Sequence, residues 1–258
     1  MKSSDIIQKY EIEDEIIEKA LLKSEYLKYY QNIQNTCKTK NLMSNNEITK
    51  GFQNFFENHI LDALHALKWI QNWHDMKIID IGSGAGLPGI PISIELIDRI
   101  SESALIESNA RKIEFLNQVT QDLGIENIRV MHHRAELLAR DVNFREKYHV
   151  GLIRSVGNII ECIELTMPFI MVGGLTVLFR GVLDEKDLQL STSVSGDYGG
   201  KLEKVVNYSL PNKKNERNLL IIRKEKETDR KYPRKPGVLR KKTRIRIGIT
   251  MAEEQDSE

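Results

Sequence analysis

The sequence predicts an open α/β sheet of the Rossmann-like kind, mostly parallel and preceded by a helical extension. Three observations lead there. After Asp75, short apolar runs alternate with helical segments, the signature of βαβ units. The first run, KIIDI, passes straight into GSGAGLPG, residues 82–89. The residues before it read as helices at steps of three and four.

The helix expected over residues 5–34 places Ile16, Ala20, Leu27 and Tyr30 near one face, with Ile17 and Leu21 beside them. A polar stretch follows to about Glu47, and a second helix is expected over residues 50–71. Strands are expected at Lys77–Ile81, Ala104–Ile106, Ile128–Met131, Val150–Ile153 and Leu175–Phe179. The helices between them are expected near Pro91–Ile97, Arg111–Leu123, Glu136–Arg140 and Ile159–Ile170, with Gly173-Gly174 ending the last. Leu202–Tyr208 and Asn218–Arg223 lack a long helix between them and read as an antiparallel hairpin at the sheet edge. The division expected is a helical extension packed on the core over 1–74, a core over 75–225, and a basic segment with an acidic end over 226–258.

Hydrophobic residues make up 40% and charged residues 29%, which suits a soluble fold rather than a disordered chain. No apolar run approaches the roughly 18–20 residues that span a bilayer, and the acidic amino terminus lacks a signal-peptide core, so a cytoplasmic protein is expected. Cys37 and Cys162 offer neither a disulfide framework nor metal-ligand spacing. His132 and His133 face opposite sides of a strand, so no metal is expected. Cys162, inside IIECIEL, reads as core, and His59 as packed or capping.

The net charge of +1 conceals an uneven distribution. Residues 223–246 hold twelve basic side chains against three acidic ones, a net of +9, while the last twelve residues carry −4. A basic segment on an acidic body suggests a polyanion partner.

Glycines after the first strand let the backbone turn tightly and approach a ligand closely. Gly84 to Gly89 matches the dinucleotide fingerprint, and Glu107 lies 21 residues past Gly86, where a ribose-binding acid belongs, so a nicotinamide or flavin is a real rival. Asp80 argues against it. A carboxylate two residues before the first glycine would repel a pyrophosphate and suit the cationic end of S-adenosylmethionine.

At these residues a family resemblance becomes specific. DIGSGAGLPGIPISI (80–94), ALIESNARKIEFLNQV (104–119) and HRAE (133–136) resemble the RsmG family of bacterial small-subunit rRNA guanine-N7 methyltransferases, once called glucose-inhibited division protein B. NHILDAL (58–64) is similar to its His-x-x-Asp-Ser-Leu segment, residues 153–181 follow its fourth and fifth strands, and KYPRKPGVLRKK (231–242) resembles its basic signature. The resemblance covers roughly residues 25–245. It implies a class I S-adenosylmethionine-dependent methyltransferase with a seven-stranded, mostly parallel sheet. It also implies N7 methylation of guanine 527 in the 530 loop of 16S rRNA. Its cofactor contacts fall on Gly82, Leu87, Ala135, Glu136 and Arg154, beside Asp80, Gly84 and Glu107. Arg234, Lys235, Arg240, Lys241 and Lys242 are the expected RNA contacts, and a monomer acting on 16S rRNA or the small ribosomal subunit is expected.

Guanine N7 already carries an in-plane lone pair, so its methylation needs no general base. The sequence agrees: neither an Asn-Pro-Pro-Tyr-type motif nor a Pro-Cys nucleophile follows the fourth strand. Arg154 and Arg180 are the catalytic candidates, acting by alignment rather than proton transfer. Ser155 and Gly157 stand where the family usually has alanine, and Arg180 where it has lysine. A methyltransferase of another substrate and a non-catalytic RNA-binding relative therefore remain as alternatives.

Overall fold

The computed structural model describes residues 7–9, 12–38, 42–44, 48–70, 73–211 and 216–238. The helix expected over 5–34 is two helices, α1 (Asp14–Leu21) and α2 (Ser24–Cys37), preceded by a short strand, β1 (Ile7–Lys9). The break falls at Leu22, which is 86% exposed, and Lys23, whose backbone is extended and whose Nζ meets Glu95 Oε2 at 2.9 Å. Two shorter helices can each aim an apolar stripe at the core, where one straight helix could not. Tyr26, Tyr29, Tyr30 and Ile33 fill the buried face of α2.

The second expected helix is interrupted. It runs as α3 (Phe52–Phe55), a π-helical turn at Phe56–Ile60, α4 (Leu61–Leu64) and α5 (Leu67–Ile70). The chain then alternates as β2 (Met76–Ile81), α6 (Gly89–Glu95), β3 (Ile100–Glu107), α7 (Ala110–Leu123), β4 (Ile128–His132), α8 (Ala135–Leu138), β5 (Tyr148–Arg154), α9 (Ile159–Thr166) and β6 (Ile170–Arg180). Next come α10 (Glu185–Ser195), β7 (Gly200–Tyr208) and β8 (Arg217–Lys224). Side-chain caps set several helix starts: Asn109, Asn158 and Asp184 accept from the backbone N–H of Arg111, Glu161 and Asp187.

The sheet order is β1-β7-β8-β6-β5-β2-β3-β4. Strands β2 to β8 form the expected seven-stranded sheet, in which β8 alone is antiparallel to its neighbours. Strand β1 adds an eighth, parallel to β7. The hairpin of β7 and β8 is therefore not a free edge: β8 slots between β6 and β7, and β1 covers β7.

Gly173 and Gly174 do not end a helix as expected. Helix α9 stops at Thr166, a 3₁₀ turn containing Pro168 follows, and both glycines lie inside β6. A Cβ on Gly174 would sit 2.6 Å from the His149 carbonyl of neighbouring β5, so close strand approach explains that glycine.

The parallel strands are buried on both faces, as crossover helices require. Ile78 joins the apolar cluster built with α1 to α7, and its neighbour Ile79 joins the one built with α8 to α10. The extension is continuous with the first cluster, where Tyr26, Tyr29, Phe56 and Ile60 pack with Ile90 and Leu105.

After β8 the chain turns across the amino ends of the parallel strands. Lys224, with its side chain fully buried, donates to the Met167 carbonyl at 2.8 Å and lies 3.1 Å from Glu146. Arg145 donates to the carbonyls of Thr228, Asp229 and Tyr232, and Arg140 to that of Pro233. Glu164, fully buried, receives the backbone N–H of Arg234 at 2.6 Å, its Nε at 2.9 Å, its Nη2, and the Tyr198 hydroxyl at 2.7 Å. Residues 224–234 are thus strapped to the core by buried charges.

Candidate active site

Ligands of open parallel sheets collect where the strands end at their carboxyl termini. The expected cofactor residues all fall there, on the adjacent strands β5, β2, β3 and β4. Asp80 is the penultimate residue of β2, and Gly82, Gly84 and Leu87 lie in the loop that follows. Glu107 closes β3, Ala135 and Glu136 open α8 after β4, and Arg154 closes β5.

The loop between β2 and α6 is held by its own residues and their neighbours. Gly82, Gly84 and Gly86 have φ of 70°, 60° and 91°, a region where side chains are rare. Ser83 Oγ donates to the Asp80 carbonyl at 3.0 Å. Glu107 Oε2 accepts from the Gly84 N–H at 3.0 Å, and its Oε1 from Ser108 and Asn109 at 2.7 and 2.9 Å. Asp80 is 1% exposed; its Oδ2 accepts from the Gly89 N–H at 3.1 Å, while Oδ1 has no hydrogen-bond partner among the described residues. Burial raises its carboxyl to about 7, against the pull of the Gly89 and Ser83 bonds and of Arg154.

This arrangement fits a cation. An orphaned carboxylate oxygen in a dry pocket is unstable by itself and gains from a positive ligand. Glu107 Oε2 retains a lone pair for a further hydroxyl donor. Glu136 is 3.9 Å from Arg134, which is more than half exposed. His132 Nε2 lies 3.1 Å from the Ser108 carbonyl, so that imidazole belongs to the loop scaffold.

Arg154 does not project freely. Its Nη1 donates to Asp62 Oδ2 at 2.8 Å and its Nη2 reaches His59 Nδ1 at 3.3 Å. Asp62, 2% exposed, also accepts from the Tyr208 hydroxyl at 2.7 Å. Burial opposes its charge, but Arg154, Tyr208 and Arg217 together hold its carboxyl below the ordinary value. His59 is therefore more than packing, and Asn58, His59 and Asp62 join a site that the sequence expectations place wholly on the core. Polar residues at i and i+3 in an otherwise apolar helix were the available signal.

Between Arg154 and the ends of β6 and β8 lies a cleft of about 260 Å³. Arg154, Arg180 and Arg217 line it, and Asp62 is the one carboxylate among its described lining residues. Asn58 Oδ1 and Arg217 Nε are buried without partners among the described residues. Arg180 Nη1 donates to the Gly157 carbonyl at 3.0 Å. Gly157 has φ of 47°, a left-handed backbone that would strain the family's alanine, whereas the atom nearest a Cβ there is the movable end of the Glu161 side chain. Ser155 adopts φ of 58°, strained for a non-glycine residue, at the cleft wall. Cys162 is 2% exposed, donates to the Val156 carbonyl at 2.7 Å, and has its thiol pushed up by burial to about 12, so it is core and no nucleophile.

Two roomier hollows, about 770 and 850 Å³, lie along residues 226–232. They sit at the amino ends of the strands, away from the glycine loop, and the smaller cleft is the better candidate. Of the expected RNA contacts, Arg240, Lys241 and Lys242 fall outside the described residues. Arg234 is not held out to solvent, because Glu164 takes up its guanidinium. Lys235, the next residue, is exposed.

The family model described as GidB, rRNA small subunit methyltransferase G, matches residues 22–220. The chain belongs to this family. A ribosomal RNA small subunit methyltransferase G from Clostridium botulinum is 34% identical over 221 residues, covering 84% of this chain and 89% of that protein. One from Clostridium tetani is 34% identical over 217 residues, with 84% and 88% covered. Among solved structures, TYW2 from P. horikoshii in complex with MeSAdo matches with a TM-score of 0.51 at 14% identity, covering 64% of this chain and 62% of that one. That likeness concerns the fold. S-adenosylmethionine is the cofactor of this methyltransferase family. No described helix is long and apolar enough to cross a membrane.

Proposed function

We propose that this rRNA methyltransferase transfers the methyl group of S-adenosylmethionine to N7 of one guanine in the 530 loop of 16S rRNA. The observation that carries the reading is the cleft beside the glycine loop. Three guanidinium groups line it, its carboxylate is already engaged by Arg154, and the imidazole Nδ1 of His59 faces that same guanidinium. Such a wall attracts a nucleotide and offers no free base. N7 needs none.

The cofactor supplies an electrophilic methyl on a sulfonium centre. The N7 lone pair would take that methyl as the sulfur leaves with the carbon–sulfur electron pair, so the protein would need to move no proton. Asp80, Gly82, Gly84, Leu87, Glu107, Ala135 and Glu136 would bind and orient the cofactor. Arg154, fixed by Asp62, would set the angle between cofactor and base. Arg180 and Arg217 would meet O6 or phosphate, since an arginine on N7 would consume the reacting lone pair. Catalysis then rests on alignment and charge. Lys235, Arg240, Lys241 and Lys242 would contact phosphates, with Arg234 anchoring the segment.

Purified protein and labelled S-adenosylmethionine, mixed with small subunits lacking N7-methylguanine, test the reading. Borohydride reduction and aniline cleavage should give one new cut in the 530 loop. Methyl transfer without that cut overturns the site. A second reading keeps the chemistry on another RNA, and one observation favours it: Ser155, Gly157 and Arg180, all departures from the family pattern, lie together at the cleft. A cut elsewhere supports it.

A further inference from the structure

We infer that Tyr29, from the helical extension, is a positioning residue for the cofactor loop, so that cofactor affinity depends on a hydroxyl outside the α/β core. The inference rests on GSGAGLPG being the cofactor loop and is independent of which base is methylated.

Tyr29 lies on the inner face of α2 and is 0% exposed. Its hydroxyl donates to the Ala85 carbonyl at 2.5 Å. Ala85 sits between Gly84 and Gly86, both in left-handed conformations, where peptide orientation is set by little except hydrogen bonding. Among the described residues, the other side-chain bonds to this loop and its flank come from Asp80 of β2, Ser83 of the loop, Glu107 of β3 and Ser93 of α6. Tyr29 supplies a clamp from the opposite side. The fit is reciprocal: a Cβ on Gly86 would be 3.1 Å from the Tyr29 hydroxyl and 2.3 Å from Ile90 Cδ1. Asp80 and Arg154 both act electrostatically on the hydroxyl, so it lies near both charged groups of the site. Phe55 packs edge-on against the Tyr29 ring at 5.7 Å and lies 5.4 Å from His59, so one aromatic row joins the clamp to the Arg154 partners.

A loop released from this bond samples more conformations, and the apparent cofactor dissociation constant rises as the competent fraction falls. Tyr26 provides a matched control. It lies one helical turn earlier on α2, is equally buried, and its hydroxyl bonds Glu95 Oε1 at 2.6 Å rather than the loop.

The experiment is calorimetric titration of the full chain with S-adenosylmethionine, in Tyr29→Phe and Tyr26→Phe beside the parent. Tyr29→Phe should raise the dissociation constant about tenfold, as for a competent fraction reduced to about one in ten. Tyr26→Phe should leave it within about twofold, whatever it does to melting temperature. At saturating cofactor the turnover of Tyr29→Phe should stay within about twofold of the parent, and amide exchange over Gly84–Leu87 should quicken in this variant alone. Parent-like binding by Tyr29→Phe overturns the inference. So does equal weakening in Tyr26→Phe, or a Tyr29→Phe chain that unfolds while Tyr26→Phe does not, since each reduces Tyr29 to a core residue.

Discussion

The two ends of the sheet differ in how completely their buried polar groups are bonded. At the amino ends, Glu164 receives bonds from Arg234 and Tyr198, and Lys224 is surrounded by Glu146, Thr228 and the Met167 carbonyl. At the carboxyl ends Asp62 is bonded as fully, to Arg154 and Tyr208, but Asp80 Oδ1, Asn58 Oδ1 and Arg217 Nε stay buried without partners among the described residues. Fully bonded buried charges hold a fold together, whereas unspent bonding capacity is instability that a ligand can relieve. The contrast assigns structure to one end and chemistry to the other.

The largest effect that tests this division is on stability. Glu164→Ala leaves the Arg234 guanidinium without its carboxylate, and breaking a buried pair costs about 3–5 kcal/mol. Denaturant titration should show that loss, while the folded protein binds cofactor as before. Weakened cofactor binding would dissolve the distinction between the ends.

A smaller effect sharpens the other side. Burial raises the Asp80 carboxyl to about 7, above the ordinary carboxylate value. Between about pH 4 and 7 the ligand-free folded state therefore holds a proton that the unfolded chain has released, and stability falls as pH rises through that window. A cationic cofactor favours the ionised form, so affinity should move the other way, tightening about tenfold from pH 6 to pH 8. Asp80→Asn should bind more weakly and lose this slope. A slope that persists in the variant would place the titrating group elsewhere.

The smallest expected effect concerns the basic segment. Lys235→Ala should lower RNA affinity without changing its target and reduce the salt slope by about one. Filter binding across salt concentrations reads this directly. An unchanged slope removes Lys235 from the RNA contacts.

Much of the core was legible in the sequence because its signals are local. Alternating runs, the glycine loop and the spacing of Asp80 and Glu107 each span a short stretch. What escaped depends on distant partners. His59 reads as packing until Arg154, far along the chain, is seen on its Nδ1. Gly174 reads as a helix stop until the His149 carbonyl is found against it. Arg234 reads as one more exposed cation until Glu164 appears beneath it. The short strand Ile7–Lys9 takes its state from pairing with β7, and Glu185–Ser195 carries too many small polar residues for its helical period to stand out.

The π-helical turn at Phe56–Ile60 has a consequence for how this chain can vary. Such a turn holds one residue more than a regular helix. Its looser winding takes up the extra residue, so the helical turns on either side stay in phase. Tyr29 can therefore pack on Phe55 before the turn while Asp62, after it, still faces Arg154. A residue lost inside the turn leaves both contacts in place, whereas one lost from the regular winding beside it swings one contact away by about 100°.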